Sequence, residues 1–181
     1  LPVLAVSLGG AAGRRVLDRV GEFARVHHAA IAAVVSFAFA VYLGLKGIDL
    51  REHGFGRHNT WHLEQWDMNE TWDQEMRQDW SRPWVFMATP SLHTEEAGTT
   101  PPGGQILELA TTANYDYFRE LRDRDPRAYR RQKKDVEDRM IDIVERHHVP
   151  NLRKHIALHV AGSPTTNEDF CWAPRGHAYG Q

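Results

Sequence analysis

Ser36 to Lys46, Ser-Phe-Ala-Phe-Ala-Val-Tyr-Leu-Gly-Leu-Lys, constrains this chain more than any other stretch. Read with period two, Phe37, Phe39, Val41, Leu43 and Leu45 share one face, and Ala38, Ala40, Tyr42 and Gly44 share the other. The first face is bulky and suits a core. The second is thin, with one aromatic carrying a polar tip. The pattern predicts a buried strand whose thin side leaves room beside it, as a cavity wall would. The charge-free run from Ala29 to Leu45 approaches the length of a membrane span. Its second half alternates large and small side chains, and no basic cluster marks one flank, so a helix end running into a strand is the better reading.

Around that strand the chain divides into short patterned segments. Gly9, Gly10 and Gly13 resemble half of a dinucleotide-binding turn. Leu8 stands where the G-x-G-x-x-G spacing requires glycine, and no acidic residue ending a second strand follows, so a loop before a helix fits better. Residues 1–35 read as an N-terminal helical segment and 36–181 as one domain. The chain opens on Leu1 and stops at Gln181 without a polar tail, which reads as truncation at both ends. Further strands are expected at Arg57–Glu64, Trp84–Thr89, Gln105–Thr111 and His155–Val160. A polar helix is expected over Asp67–Ser81, with Met68, Trp72, Met76 and Trp80 recurring at four-residue steps. A short helix and a long one, divided near Asp125-Pro126, follow, and Ser163-Pro164-Thr165-Thr166 reads as a capped helix start. The fold class is therefore α+β, with a mixed, largely antiparallel sheet of about five strands and two to four helices.

Composition removes several functions. A net charge of -2, with basic and acidic residues interleaved, leaves no field for nucleic acid, and no nucleic-acid partner is expected. The one cysteine, Cys171, excludes an internal disulfide framework, and its neighbours Phe170 and Trp172 raise rather than lower a thiol pKa. Four histidines supply a metal reading. His58 and His62 would share one strand face and His155 and His159 another, so two neighbouring strands would converge on zinc in a metal-dependent hydrolase. Against it, histidine is tolerated on half-buried sheet faces, and neither His-Glu-x-x-His nor Cys-x-x-Cys is present; no metal is assigned. Glu64, Asp67, Glu108 and Asp116 are acid–base candidates that spacing alone leaves unconstrained.

Four stretches together resemble the middle region of flavin-dependent phytoene desaturases, carotenoid isomerases and retinol saturases. They are Phe39-Ala-Val-Tyr-Leu-Gly-Leu-Lys46, Trp84-Val-Phe-Met-Ala-Thr-Pro-Ser-Leu-His93, Pro101-Pro-Gly-Gly-Gln-Ile-Leu-Glu-Leu-Ala-Thr111, and Gly162-Ser-Pro-Thr-Thr-Asn-Glu-Asp-Phe170 leading to Gly176-His-Ala-Tyr-Gly180. The resemblance implies a substrate-binding domain of an FAD-dependent oxidoreductase, acting on a long apolar polyene or isoprenoid by desaturation, saturation or isomerisation. It implies that FAD belongs to the full-length parent, since the family's glycine-rich fingerprint has no match here, and that this fragment alone is inactive. Its partners would be the polyene and the remainder of its own parent chain. Tyr42 and Gly44 would border the substrate. Thr165 and Thr166 would start a helix near the flavin, with Gly176, Tyr179 and Gly180 in a loop approaching the isoalloxazine. No catalytic residue is carried over. A non-enzymatic lipid- or polyene-binding module using the same sheet is the alternative. The expected location is cytoplasmic, with room for peripheral membrane association.

Overall fold

The computed structural model describes residues 39–93 and 100–177. The N-terminal helical segment, the Gly9–Gly13 turn and two of the carried-over residues, Tyr179 and Gly180, lie outside the described residues.

Among the described residues, five strands form one sheet in the order β2-β3-β4-β1-β5. They are β1 (Phe39–Lys46), β2 (Thr60–His62), β3 (Val85–Ala88), β4 (Gly104–Thr111) and β5 (Ile156–Gly162). Each neighbouring pair runs antiparallel. The first strand of the described residues is not at an edge: β1 is inserted between β4 and β5, so only β2-β3-β4 is a meander. A register shift at Gly44/Leu45 marks a bulge against β5.

The five helices among the described residues are α1 (Met68–Met76), α2 (Pro90–His93), α3 (Tyr115–Arg124), α4 (Pro126–His147) and α5 (Pro164–Cys171). Pro90 starts a single helical turn, α2, instead of merely closing β3. Their starts are chemically specified. Asp67 accepts the Asn69 and Glu70 N–H groups at the head of α1, and Asn114 accepts Tyr117 N–H at the head of α3. Asp125 accepts Arg127 and Ala128 N–H at 2.9 and 3.0 Å, with Pro126 in the first turn of α4. None of these helices is long and apolar enough to cross a membrane.

The core lies between one face of the sheet and the helices. Phe39, Val41, Leu43 and Leu45 of β1, Leu107 and Leu109 of β4, and Val85 and Met87 of β3 point into it. Phe118 of α3 and Val136, Met140, Ile143 and Val144 of α4 meet them. Phe118 is enclosed by aromatic rings, with Phe39 at 5.9 Å, Trp80 at 6.0 Å and Tyr129 at 6.2 Å between centroids.

Two expectations fail locally. The stripe Met68-Trp72-Met76-Trp80 is not the buried face of α1; the buried residues are Thr71, Gln74 and Glu75, and Met68 is exposed. The helix ends at Met76, and Gln78 takes a left-handed φ of 66°, so Trp80 enters the core from a separate segment, its indole N–H donating to Thr112 O at 3.2 Å. The strand expected over Arg57–Glu64 shortens to Thr60–His62, leaving His58 outside it.

Candidate functional site

Among the described residues, no large helix lies over the opposite face of the sheet. Alternation places Ala40, Tyr42 and Gly44 of β1 on this face. Register then brings residues of the other strands beside them: Ala110 opposite Ala40, Glu108 opposite Tyr42, Val160 opposite Tyr42 on the other side, and Gly162 opposite Ala40. Phe86 of β3 pairs with Ala110. A trough of about 320 Å³ results, with Ala40, Ala110 and Gly162 as its low floor and Tyr42, Phe86, Glu108 and Val160 as its relief. Tyr42, Val160 and Leu158 remain exposed, which is unusual for a strand cluster of this hydrophobicity. Trp61 extends the apolar surface past Phe86, packing edge-on to it at 5.1 Å and stacking on Trp84 at 5.0 Å.

Glu108 is the carboxyl in this apolar lining. Burial holds its pKa above the usual carboxylate range, and the charge of His93 pulls the other way. The trough thus offers an apolar bed with one hydroxyl and one carboxyl. It can bind and orient an elongated apolar molecule and shield part of it from water.

Of the residues singled out from sequence, Tyr42 lines the trough. Gly44 does not: it faces Leu158 across β1 and β5, where a Cβ would come to 3.2 Å from the Leu158 Cβ. The helix-start residues serve the fold. Thr165 is fully buried, with its hydroxyl 2.9 Å from Tyr129 Oη and 3.0 Å from Ser163 Oγ. Thr166 Oγ1 accepts Ser163 N–H at 3.2 Å, completing the cap of α5. Gly176 is buried at a φ of 68°, and a Cβ there would overlap the Pro164 backbone. Asn167 latches the same loop by donating to Gly176 O at 3.3 Å. Thr165 and Thr166 thus stand at the start of α5, as the resemblance implies, with their hydroxyls engaged within the fold.

The four histidines do not converge. His62 Nδ1 lies 3.1 Å from His148 Nε2, whereas His155 Nδ1 meets Lys46 O at 3.1 Å and His159 Nδ1 meets the buried Glu137 at 2.5 Å. His155 ends a 3-10 turn ahead of β5 instead of sharing a strand face with His159. The acid–base candidates separate just as clearly. Glu108 enters the trough, Glu64 lies beside His62, Asp67 caps α1, and Asp116 pairs with Arg175 at 2.8 Å.

No family model matches the chain. A stretch of 101 residues is 29% identical to all-trans-retinol 13,14-reductase of Danio rerio, spanning 54% of this chain and 17% of that protein. The likeness is to an oxidoreductase. It agrees at that level with the resemblance carried by the four sequence stretches, and it covers only a part of the relative's length.

Proposed function

We propose that this chain supplies the substrate-facing sheet of an FAD-dependent oxidoreductase of the phytoene desaturase, carotenoid isomerase and retinol saturase type. The observation that carries the reading is the trough on the open sheet face. Its volume of about 320 Å³ suits a small apolar ligand, and its floor is built from the smallest side chains available to a strand. A polyene is flat and stiff, so it gains contact along a flat sheet while losing little conformational freedom. The partial likeness to a retinol reductase supports a polyene substrate.

In this reading the chain's own residues bind and orient. Ala40, Ala110 and Gly162 admit the polyene close to the backbone, Phe86 and Val160 flank it, and Tyr42 and Glu108 receive any polar end group. The redox chemistry belongs to FAD in the full-length parent, held by segments other than the described residues. The remainder of the parent chain would cover the open face. The exposed Trp66, Phe170 and Trp172 suit that contact, or a peripheral membrane surface.

Titration of the purified chain with all-trans-retinol, followed by tryptophan and retinoid fluorescence, tests the binding. Saturable one-to-one uptake by folded, flavin-free chain is expected. A folded chain that takes up no polyene would sink the proposal. Flavin absorbance and polyene turnover by the full-length parent then separate an oxidoreductase from a module that only binds its ligand.

A further inference from the structure

Where β2 meets the C-terminus of α4, three side chains with metal-binding atoms converge at a place distinct from the trough. The ligand atoms of His62, Glu64 and His147 all lie within 4.8 Å of one another. Glu64 Oε1 is 3.7 Å from His62 Nε2 and 3.9 Å from His147 Nε2, so the carboxylate stands between the two imidazoles. The rings of His62 and His147 are 4.8 Å apart and tilted by 31°.

Two features separate this group from a chance surface cluster. His62 Nε2 is buried and has no hydrogen-bond partner. A buried nitrogen left unsatisfied is costly, and a ligand on it would remove that cost. The other nitrogen of the same ring is already engaged, with Nδ1 at 3.1 Å from His148 Nε2. That contact fixes the ring's orientation and, with Nδ1 donating, leaves the Nε2 lone pair aimed at Glu64 and His147. A ligating histidine is commonly held by its second nitrogen in this way. His148 is itself held in place against Phe55, with ring centroids 6.4 Å apart.

We propose that His62, Glu64 and His147 form a site for a divalent cation of the zinc class, with His148 orienting His62. Two imidazoles and one carboxylate supply three ligands, and a fourth position is left for water. Bonds of about 2.0 Å in a tetrahedron set ligand atoms about 3.3 Å apart, so the site closes by small rotamer shifts. His147 and Glu64 can make these shifts, because their side chains are 41% and 24% exposed. The ion would tie the short edge strand β2 to the last turn of α4. This assignment is independent of the polyene reading.

Isothermal titration of tag-free chain with Zn²⁺ tests it. One equivalent is expected to bind, with at least a tenfold loss of affinity in both His147→Ala and Glu64→Gln. His58→Ala and His155→Ala, which alter histidines elsewhere, should change affinity less than twofold. Glu64→Gln removes the charge at a partly exposed position and keeps the side chain's shape, so a folded variant is available, and far-UV circular dichroism confirms it. Zn²⁺ should also raise the melting temperature of the wild type and not of His147→Ala. Absence of a single saturable equivalent, or equal affinity in wild type and both ligand variants, would overturn the assignment.

Discussion

Tyr42 and Glu108 are direct partners across β1 and β4, and both line the trough on the open sheet face. This pairing sets a phenol beside a carboxyl in otherwise apolar surroundings. A neutral Glu108 is cheaply covered by an apolar ligand, whereas an ionised one is not. Because burial keeps its pKa raised, hydrocarbon polyenes should bind better below the Glu108 pKa than above it, with affinity falling as pH rises through it. Glu108→Gln should flatten that profile. Fluorescence titration of a carotene at several pH values checks this, and an unchanged slope in the variant would count against it.

The trough floor makes a steric prediction. Ala110→Phe would fill the space between Phe86 and Ala40 without touching the helix-covered core. Polyene affinity should fall at least tenfold while the melting temperature shifts little. Retinoid fluorescence and calorimetry on the same sample read both quantities.

Gly176 should be intolerant of any side chain. Its φ of 68° favours glycine, and a Cβ would collide with Pro164, whose Cα would be only 2.6 Å away. Gly176→Ala should destabilise the protein by about 2–4 kcal/mol, combining left-handed strain with a backbone clash. A urea unfolding midpoint equal to wild type would contradict the packing described.

Glu75 predicts a pH dependence of stability. It is fully buried and pushed up to about 8 by burial, with Oε2 lacking a partner. Thr111 Oγ1 lies 2.9 Å from Glu75 Oε1 and 2.6 Å from Trp84 O, and one hydroxyl proton serves only one of them. A protonated Glu75 supplies the second. The folded state therefore keeps a proton that the unfolded chain loses above the ordinary glutamate value. Stability from this group is full at acidic pH and declines from there until about pH 8, where the folded state also ionises. Glu75→Gln should abolish that decline and be more stable than wild type at pH 8 by a few kcal/mol. Denaturant unfolding at pH 5 and pH 8 measures it.

Phe118 is the aromatic hub of the core, with no exposure and rings on several sides. Phe118→Ala should cost about 3–5 kcal/mol, the range for emptying such a site. A smaller loss in chemical denaturation would mean that Phe39 and Trp80 collapse into the space.

Much of the fold was legible because local signals agreed. The alternation of Phe39–Lys46 specified a strand with one core face, the cap chemistry at Ser163 started a helix where expected, and Asp125-Pro126 divided α3 from α4. The apolar spacing of α1 misled because its inward face carries Thr71, Gln74 and Glu75, and Glu75 accepts from Trp84 N–H just ahead of β3 and from Thr111 of β4 instead of adding hydrophobic contact. The glycine at 44 read as a thin cavity wall, yet its space is taken up by Leu158 from β5.

The sequence by itself determined which residues of each strand share a face, since a period of two is a property of the extended backbone alone. It could not determine which strands become neighbours. Only the tertiary structure inserted β1 between β4 and β5 and so placed Ala110, Glu108, Phe86, Val160 and Gly162 around Ala40 and Tyr42. The same holds for His62 and His147, far apart in the chain and joined only because the end of α4 packs beside β2. Strand order and helix docking are settled by non-local burial, in which every segment competes for the same core, and no window of sequence contains that competition.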